Sequence, residues 1–70
     1  MAIRVGFAVI PNDGDPIIIA TATNGHFMGI VDAHMQWTPT EASLRAEYLN
    51  ATYAGVNALH VWRDLWPQRR

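Results

Sequence analysis

The sequence contains no cysteine, which excludes disulfide staples and thiolate metal sites. Lysine is absent too, and the one serine, Ser43, falls in the first turn of an expected helix, without the strand-turn setting of a nucleophile elbow. Nucleophilic catalysis therefore has no candidate. Long apolar runs are also missing. The longest, Val5 to Ile10 and Ile17 to Ala22, fall far short of the ~20 residues that cross a bilayer. The apolar stretch behind Met1-Ala2-Ile3-Arg4 ends at Pro11 without a small-residue cleavage site, so the expected place of work is the cytoplasm, with no membrane partner. Neither sign of charge is in excess: five basic residues, all Arg, stand against six acidic ones for a net charge of −1. That balance argues against nucleic acid as a partner, because non-specific binding draws its affinity from cations that neutralise phosphates.

What is present is apolar. Half of the 70 residues are hydrophobic, enough for one small core. A chain of this length buries only ~60–65% of the surface its unfolded form exposes, and such domains need a staple. With no disulfide available, a second copy of the chain is the expected one, which makes a homodimer the first expectation.

The hydrophobic period is two up to about residue 37 and 3.6 after it. Ala2 to Ile10 alternates as a strand. Pro11-Asn12-Asp13-Gly14-Asp15-Pro16 reads as a loop, and Ile17 to Thr23 as a β-branched second strand. Asn24-Gly25 predicts a two-residue type I′ turn into a third strand, His26 to Met35. Such a turn sets Thr23 opposite His26, and counting back pairs Ala22 with Phe27, Ala20 with Gly29 and Ile18 with Val31. With Ile10 opposite Ile17, one face then holds Ile3, Val5, Phe7, Val9, Ile18, Ala20, Ala22, Phe27, Gly29, Val31, Ala33 and Met35, the expected core face. The other holds Arg4, Gly6, Ala8, Ile10, Ile17, Ile19, Thr21, Thr23, His26, Met28, Ile30, Asp32 and His34, apolar in its middle.

Thr38-Pro39-Thr40-Glu41 is a capping box with Pro at the first helical position. Only Gly55 interrupts good helix formers before Pro67, so the pattern predicts one helix of ~27 residues. On it Leu44, Tyr48, Ala51, Gly55, Ala58, Leu59, Trp62, Leu65 and Trp66 form a broad stripe expected to cover the sheet. Leu49, Tyr53 and Val56, flanked by Ala42 and His60, form a second stripe that one sheet has no room for. The expected fold is α+β: one domain over residues 1–70, a three-stranded antiparallel β-meander followed by one long C-terminal α-helix packed on one face.

Candidate chemistry is sparse. Asp32 and His34 share a side of the expected third strand, where an imidazole beside a carboxylate could serve acid–base work, with His60 as a conceivable third member. A solvated strand end explains the same residues, and no spacing matches a metal-ligand motif. Asn12-Asp13-Gly14-Asp15 is oxygen-rich like the start of a calcium loop, but Pro16 follows and the bidentate glutamate is missing. Asn50-Ala51-Thr52 matches a glycosylation sequon, but it falls mid-helix with no secretory signal expected, and it is set aside. No catalytic residue, metal or cofactor is therefore expected.

The order of three strands and a helix, opened by Thr38-x-x-Glu41-Ala42, resembles the N-terminal part of HicB-like antitoxins. The run Trp62-Arg63-Asp64-Leu65-Trp66-Pro67 resembles the helix end of MbtH-like proteins, which also build three strands and a helix. These likenesses cover a capping box, a topology and six residues, and they carry no site residue across.

The leading expectation of function is a non-catalytic protein-binding module, a regulator or inhibitor of antitoxin or phage-encoded type, acting as a homodimer or on an unidentified protein partner. Its expected contact residues are Leu49, Tyr53, Val56, His60 and Trp66 on the helix, and Ile19, Met28 and Ile30 on the sheet. The alternatives are a small-molecule site or minor enzyme at a subunit interface using Asp32 and His34, and a nucleic-acid-associated regulator using Arg63, Arg69 and Arg70.

Overall fold

The computed structural model of the chain describes residues 3–66. Arg69, Arg70 and the start of the first strand at Ala2 lie outside them. Three antiparallel strands, β1 (Val5–Asn12), β2 (Asp15–Ala22) and β3 (Phe27–Val31), form a meander in the order β1-β2-β3. Two helices follow, α1 (Pro39–Thr52) and α2 (Ala58–Leu65). The architecture is α+β, and the single long helix expected from the pattern is corrected to two.

The first hairpin is tighter than a six-residue loop. Asn12 faces Asp15, and the two residues between them, Asp13 (φ 49°) and Gly14 (φ 87°), both have positive φ, as a type I′ turn requires. Ile10 faces Ile17 as expected, and Pro11 faces Pro16 inside the ladder. The ladder tolerates the prolines because of their parity. The Phe7 N–H and C=O point away from β2, to Asn50, so Phe7, Val9 and Pro11 occupy non-hydrogen-bonded pairs and no β1–β2 donor is lost.

At the second hairpin the expected turn is not the one formed. Only Gly25 (φ 90°) has positive φ; Asn24 does not, so a type I′ turn is excluded. Gly25 N–H donates to Ala22 O and Ala22 N–H to His26 O, which closes a three-residue loop and opposes Ala22 to His26. The register is thereby displaced by one residue, and Phe27 faces Thr21. An irregularity between Ala20 and Thr21 then inserts Met28 as an extra residue and restores the expected pairs, Ala20 with Gly29 and Ile18 with Val31. Phe27 moves off the core face and is 62% exposed, while Met28, expected on the back, packs against the core. β3 also stops early. Asp32 adopts φ 49° and its carbonyl accepts from Met35 N–H, so Ala33 and Met35 are exposed in a turn rather than buried in a strand.

The capping box of α1 forms as the residues predict: Glu41 N–H donates to the Thr38 hydroxyl, and Thr38 N–H to the Glu41 carboxylate, each at 3.2 Å. The helix ends at Tyr53. Gly55 takes φ 77°, a conformation helices use to stop, and Asn57 caps the next helix by accepting from Leu59 N–H at 2.9 Å. This break resets the helical phase. On α1 the buried residues are Ala42, Ala46 and Leu49, and on α2 Val61, so the second stripe packs on the sheet. Leu44, Tyr48 and Leu59, expected in the core, are all more than half exposed. The core joins Phe7, Ile18, Ala20 and Val31 of the sheet to Ala42, Ala46, Leu49 and Val61 of the helices.

Candidate functional site

The register puts three rows on the face of the sheet opposite this core. Gly6, Thr21 and Phe27 form one row, Ala8, Ile19 and Ile30 the next, and Ile10 with Ile17 a third. Their neighbours along the strands, Phe7, Ile18, Ala20 and Val31, are buried under the helices. The helices pack on that side alone. On the opposite side Ile10 and Ile30 are each 37% exposed, Phe27 is exposed and Ile17 and Ile19 are half-buried. These three rows carry no charged residue; on the same face Arg4 and Asp15 lie at the strand ends, and Asp32 follows β3.

Both edges of the sheet are tied to helix side chains. On β1, Phe7 N–H donates to Asn50 Oδ1 at 2.9 Å and Asn50 Nδ2 donates to Phe7 O at 3.0 Å, so the amide from α1 pairs as a strand residue would. At β3 the Trp66 indole donates to Ile30 O at 3.3 Å, and its ring lies over Gly29, where a Cβ would sit 3.0 Å from Trp66 Cζ2. Unpaired edge groups are what recruits a foreign strand, and these contacts occupy both Phe7 groups on β1 and the Ile30 carbonyl on β3. Asn50, set aside as a sequon, has this structural role instead. No local pattern around Asn50 signals it, because its partner is 43 residues away.

The expected contact residues divide between core and surface. Leu49 is 1% exposed, and Tyr53 and Val56 pack against the core, so the expectation of a free second stripe is corrected: that stripe faces the sheet. Tyr53 meets the Phe7 ring at 6.0 Å between centroids and donates to Asp64 Oδ2 at 3.3 Å. Burial first, and the Asp64 carboxylate second, push its phenol above the ordinary value of 10.0. His60 is exposed on α2, and Trp66 covers Gly29. Ile19 and Ile30 lie on the uncovered face, and Met28 on the opposite one.

Asp32 and His34 do not form a pair on one strand side. Asp32 turns toward α1, where its Oδ2 lies 3.4 Å from Arg45 Nε, and the Arg45 guanidinium stacks 5.3 Å from the Tyr48 ring centre. His34 is exposed in the turn that follows β3. Among the described residues no three His, Asp or Glu side chains group as a metal site would need, and no helix is long and apolar enough to cross a membrane. An open groove of about 430 Å³ lies between the second hairpin and the start of α2. Ile3, Met28, Leu59 and Trp62 line it together with Asn24, His26 and Asn57. No protein-family model, curated protein or solved structure matches the chain. The functional reading therefore rests on the residues and their arrangement.

Proposed function

We propose that this protein is a non-catalytic protein-contact module, a small regulator or inhibitor, and that the uncovered face of its sheet is the contact surface. One observation carries the reading: an apolar face of Ile10, Ile17, Ile19, Phe27 and Ile30, with charge only at the strand ends, is left uncovered while both described helices pack on the other side. Contiguous apolar surface of this kind is costly to leave wet and is what the centre of a protein interface is made of. The expected Asp32–His34 pair is not assembled, since the Asp32 carboxylate is engaged by Arg45 and His34 is exposed in the following turn.

A photo-activated cross-linking residue at position 19 in the producing cell tests this. Protein adducts should form there and not from the same residue at Glu47, which is exposed on α1. Absence of any protein adduct at position 19 removes the reading. The groove supports a second reading, a small apolar ligand with one or two polar groups, because apolar walls meet His26, Asn24 and Asn57 there. Melting shifts across a metabolite panel, lost in Trp62→Ala, would favour it.

A further inference from the structure

Gly6 is the one glycine that the described residues do not account for. Gly14, Gly25, Gly29 and Gly55 all have positive φ, and Gly29 also lies under Trp66. Gly6 has neither reason: its φ is ordinary for a strand, and a Cβ there would meet nothing within 4 Å. Glycine inside a strand weakens it, and where no local geometry requires one, close approach of something from outside is the remaining physical reason. In the same row, two strands away, Phe27 stands 62% exposed. A notch and a knob thus lie on opposite sides of β2, with Ala8 and Ile30 repeating the small-and-large contrast one row on.

We infer that the uncovered face binds a second copy of this chain, sheet against sheet, on a two-fold axis running along β2, with each Phe27 ring seated over the partner copy's Gly6. The inference rests on the contact-module reading and names its partner. An axis along β2 carries β1 of one copy over β3 of the other, so Phe27 meets Gly6, Ile30 meets Ala8, and Ile19 meets Ile19. An axis across the strands would instead stack β3 on β3 and β1 on β1, pressing large on large and leaving a gap between small and small. The Ile19 and Thr21 rows that would meet carry no charge; Asp15 lies on the same face at the hairpin end of β2, where the twist of packed sheets splays the two copies apart. Edge-to-edge pairing is opposed by Asn50 and Trp66. Strands β1 and β2, each ~27 Å long, and β3, ~17 Å long, lie ~4.8 Å apart and present roughly 340 Å² in projection, so two such faces stay below the ~1,000 Å² of stable specific interfaces and suit a weak dimer. The dimer is therefore expected to be concentration-dependent.

Sedimentation of the full chain across a concentration series, with Gly6→Val and Phe27→Ala beside it, tests the proposal. Filling the notch should raise the dimer dissociation constant about tenfold or more, yet leave the dilute monomer no less stable, because a valine at position 6 suits a strand and meets nothing in its own chain. Phe27→Ala should weaken association in the same direction. Because the chain has no cysteine of its own, single replacements report geometry without interference. Ile19→Cys should cross-link to itself through a short bismaleimide. Ala8→Cys and Ile30→Cys should cross-link when mixed and not when each is alone. A parent chain monomeric throughout, dimerisation untouched by Gly6→Val, or self-cross-linking of Ala8→Cys would each overturn the arrangement. A monomeric chain whose position 19 still forms adducts with a different protein would remove the second copy and leave the contact-module reading standing.

Discussion

Ile18 and Ile19 are consecutive, identical side chains in the central strand, and they lie in two different solvents. Ile18 is completely buried beneath the helices, while Ile19, pointing the other way, has only its neighbours in the sheet for cover. The covered face mixes Phe7, Ile18 and Val31 with Ala20 and Ala22, and Ala42, Ala46 and Leu49 of α1 pack over it. The uncovered face likewise mixes Gly6 and Ala8 with Ile10, Ile17, Ile19, Phe27 and Ile30, and no layer lies over it. Composition does not distinguish the two sides. What differs is whether this chain has a partner layer for them, and a chain of 70 residues has one such layer to give.

The contrast is broken most directly by truncating each isoleucine in turn. Ile18→Ala should lower unfolding free energy by about 2–5 kcal/mol, through lost transfer energy and the cavity left behind. Ile19→Ala should change the dilute monomer by about 1 kcal/mol or less and act on association instead. Denaturant midpoints at low and high protein concentration separate the two effects. Equal losses for both variants in the dilute monomer would mean that the faces are equally covered.

A smaller effect is expected at the edge. Asn50→Ala removes two hydrogen bonds to Phe7 and should cost about 1–3 kcal/mol, since the strand groups it leaves are partly buried. It should also open β1 to pairing, so that assemblies larger than a dimer appear in light scattering. A variant that loses stability but forms no larger species would show that β1 is protected by something besides this amide.

The smallest effect concerns the covered side near Tyr53. Its phenol is held above 10.0, so the folded chain keeps that proton more tightly than the unfolded chain does. The stability this contributes is complete below the unfolded value and is lost as pH rises through the raised folded value. The urea midpoint should therefore fall as pH rises above about 10 and through the raised folded value. In Tyr53→Phe that part of the decline should disappear, and in Asp64→Asn it should shrink without vanishing, because burial is the larger cause. An identical decline in Tyr53→Phe would assign the titration to another group.

Much of this arrangement is legible in local residues. Asp13-Gly14 specifies a tight reversal because both positions tolerate positive φ, and alternation on either side then pairs Ile10 with Ile17. Thr38 and Glu41 mark the start of α1 within a single turn. Asn24-Gly25 misleads because the same dipeptide fits a two-residue turn and the last two positions of a three-residue loop. The choice moves Phe27 from one face to the other. The helical face is harder still. Along α1 the apolar residues lie on all sides, with Leu44 and Tyr48 opposing Ala42, Ala46 and Leu49, so periodicity does not choose between them.

The sequence by itself determines the elements that depend on a few adjacent residues: three strands, a first hairpin with its register, a capped helix and an α+β class. Tertiary structure alone decided where the helix breaks, which of its stripes meets the sheet, and that Asn50 and Trp66 close the edges. The physical reason is range. A turn or a cap is settled by backbone angles and hydrogen bonds within about four residues. The break at Gly55 is favoured only because two short helices can lay Leu49 and Val61 on the same sheet, and Asn50 has a partner only once Phe7 has been brought to it.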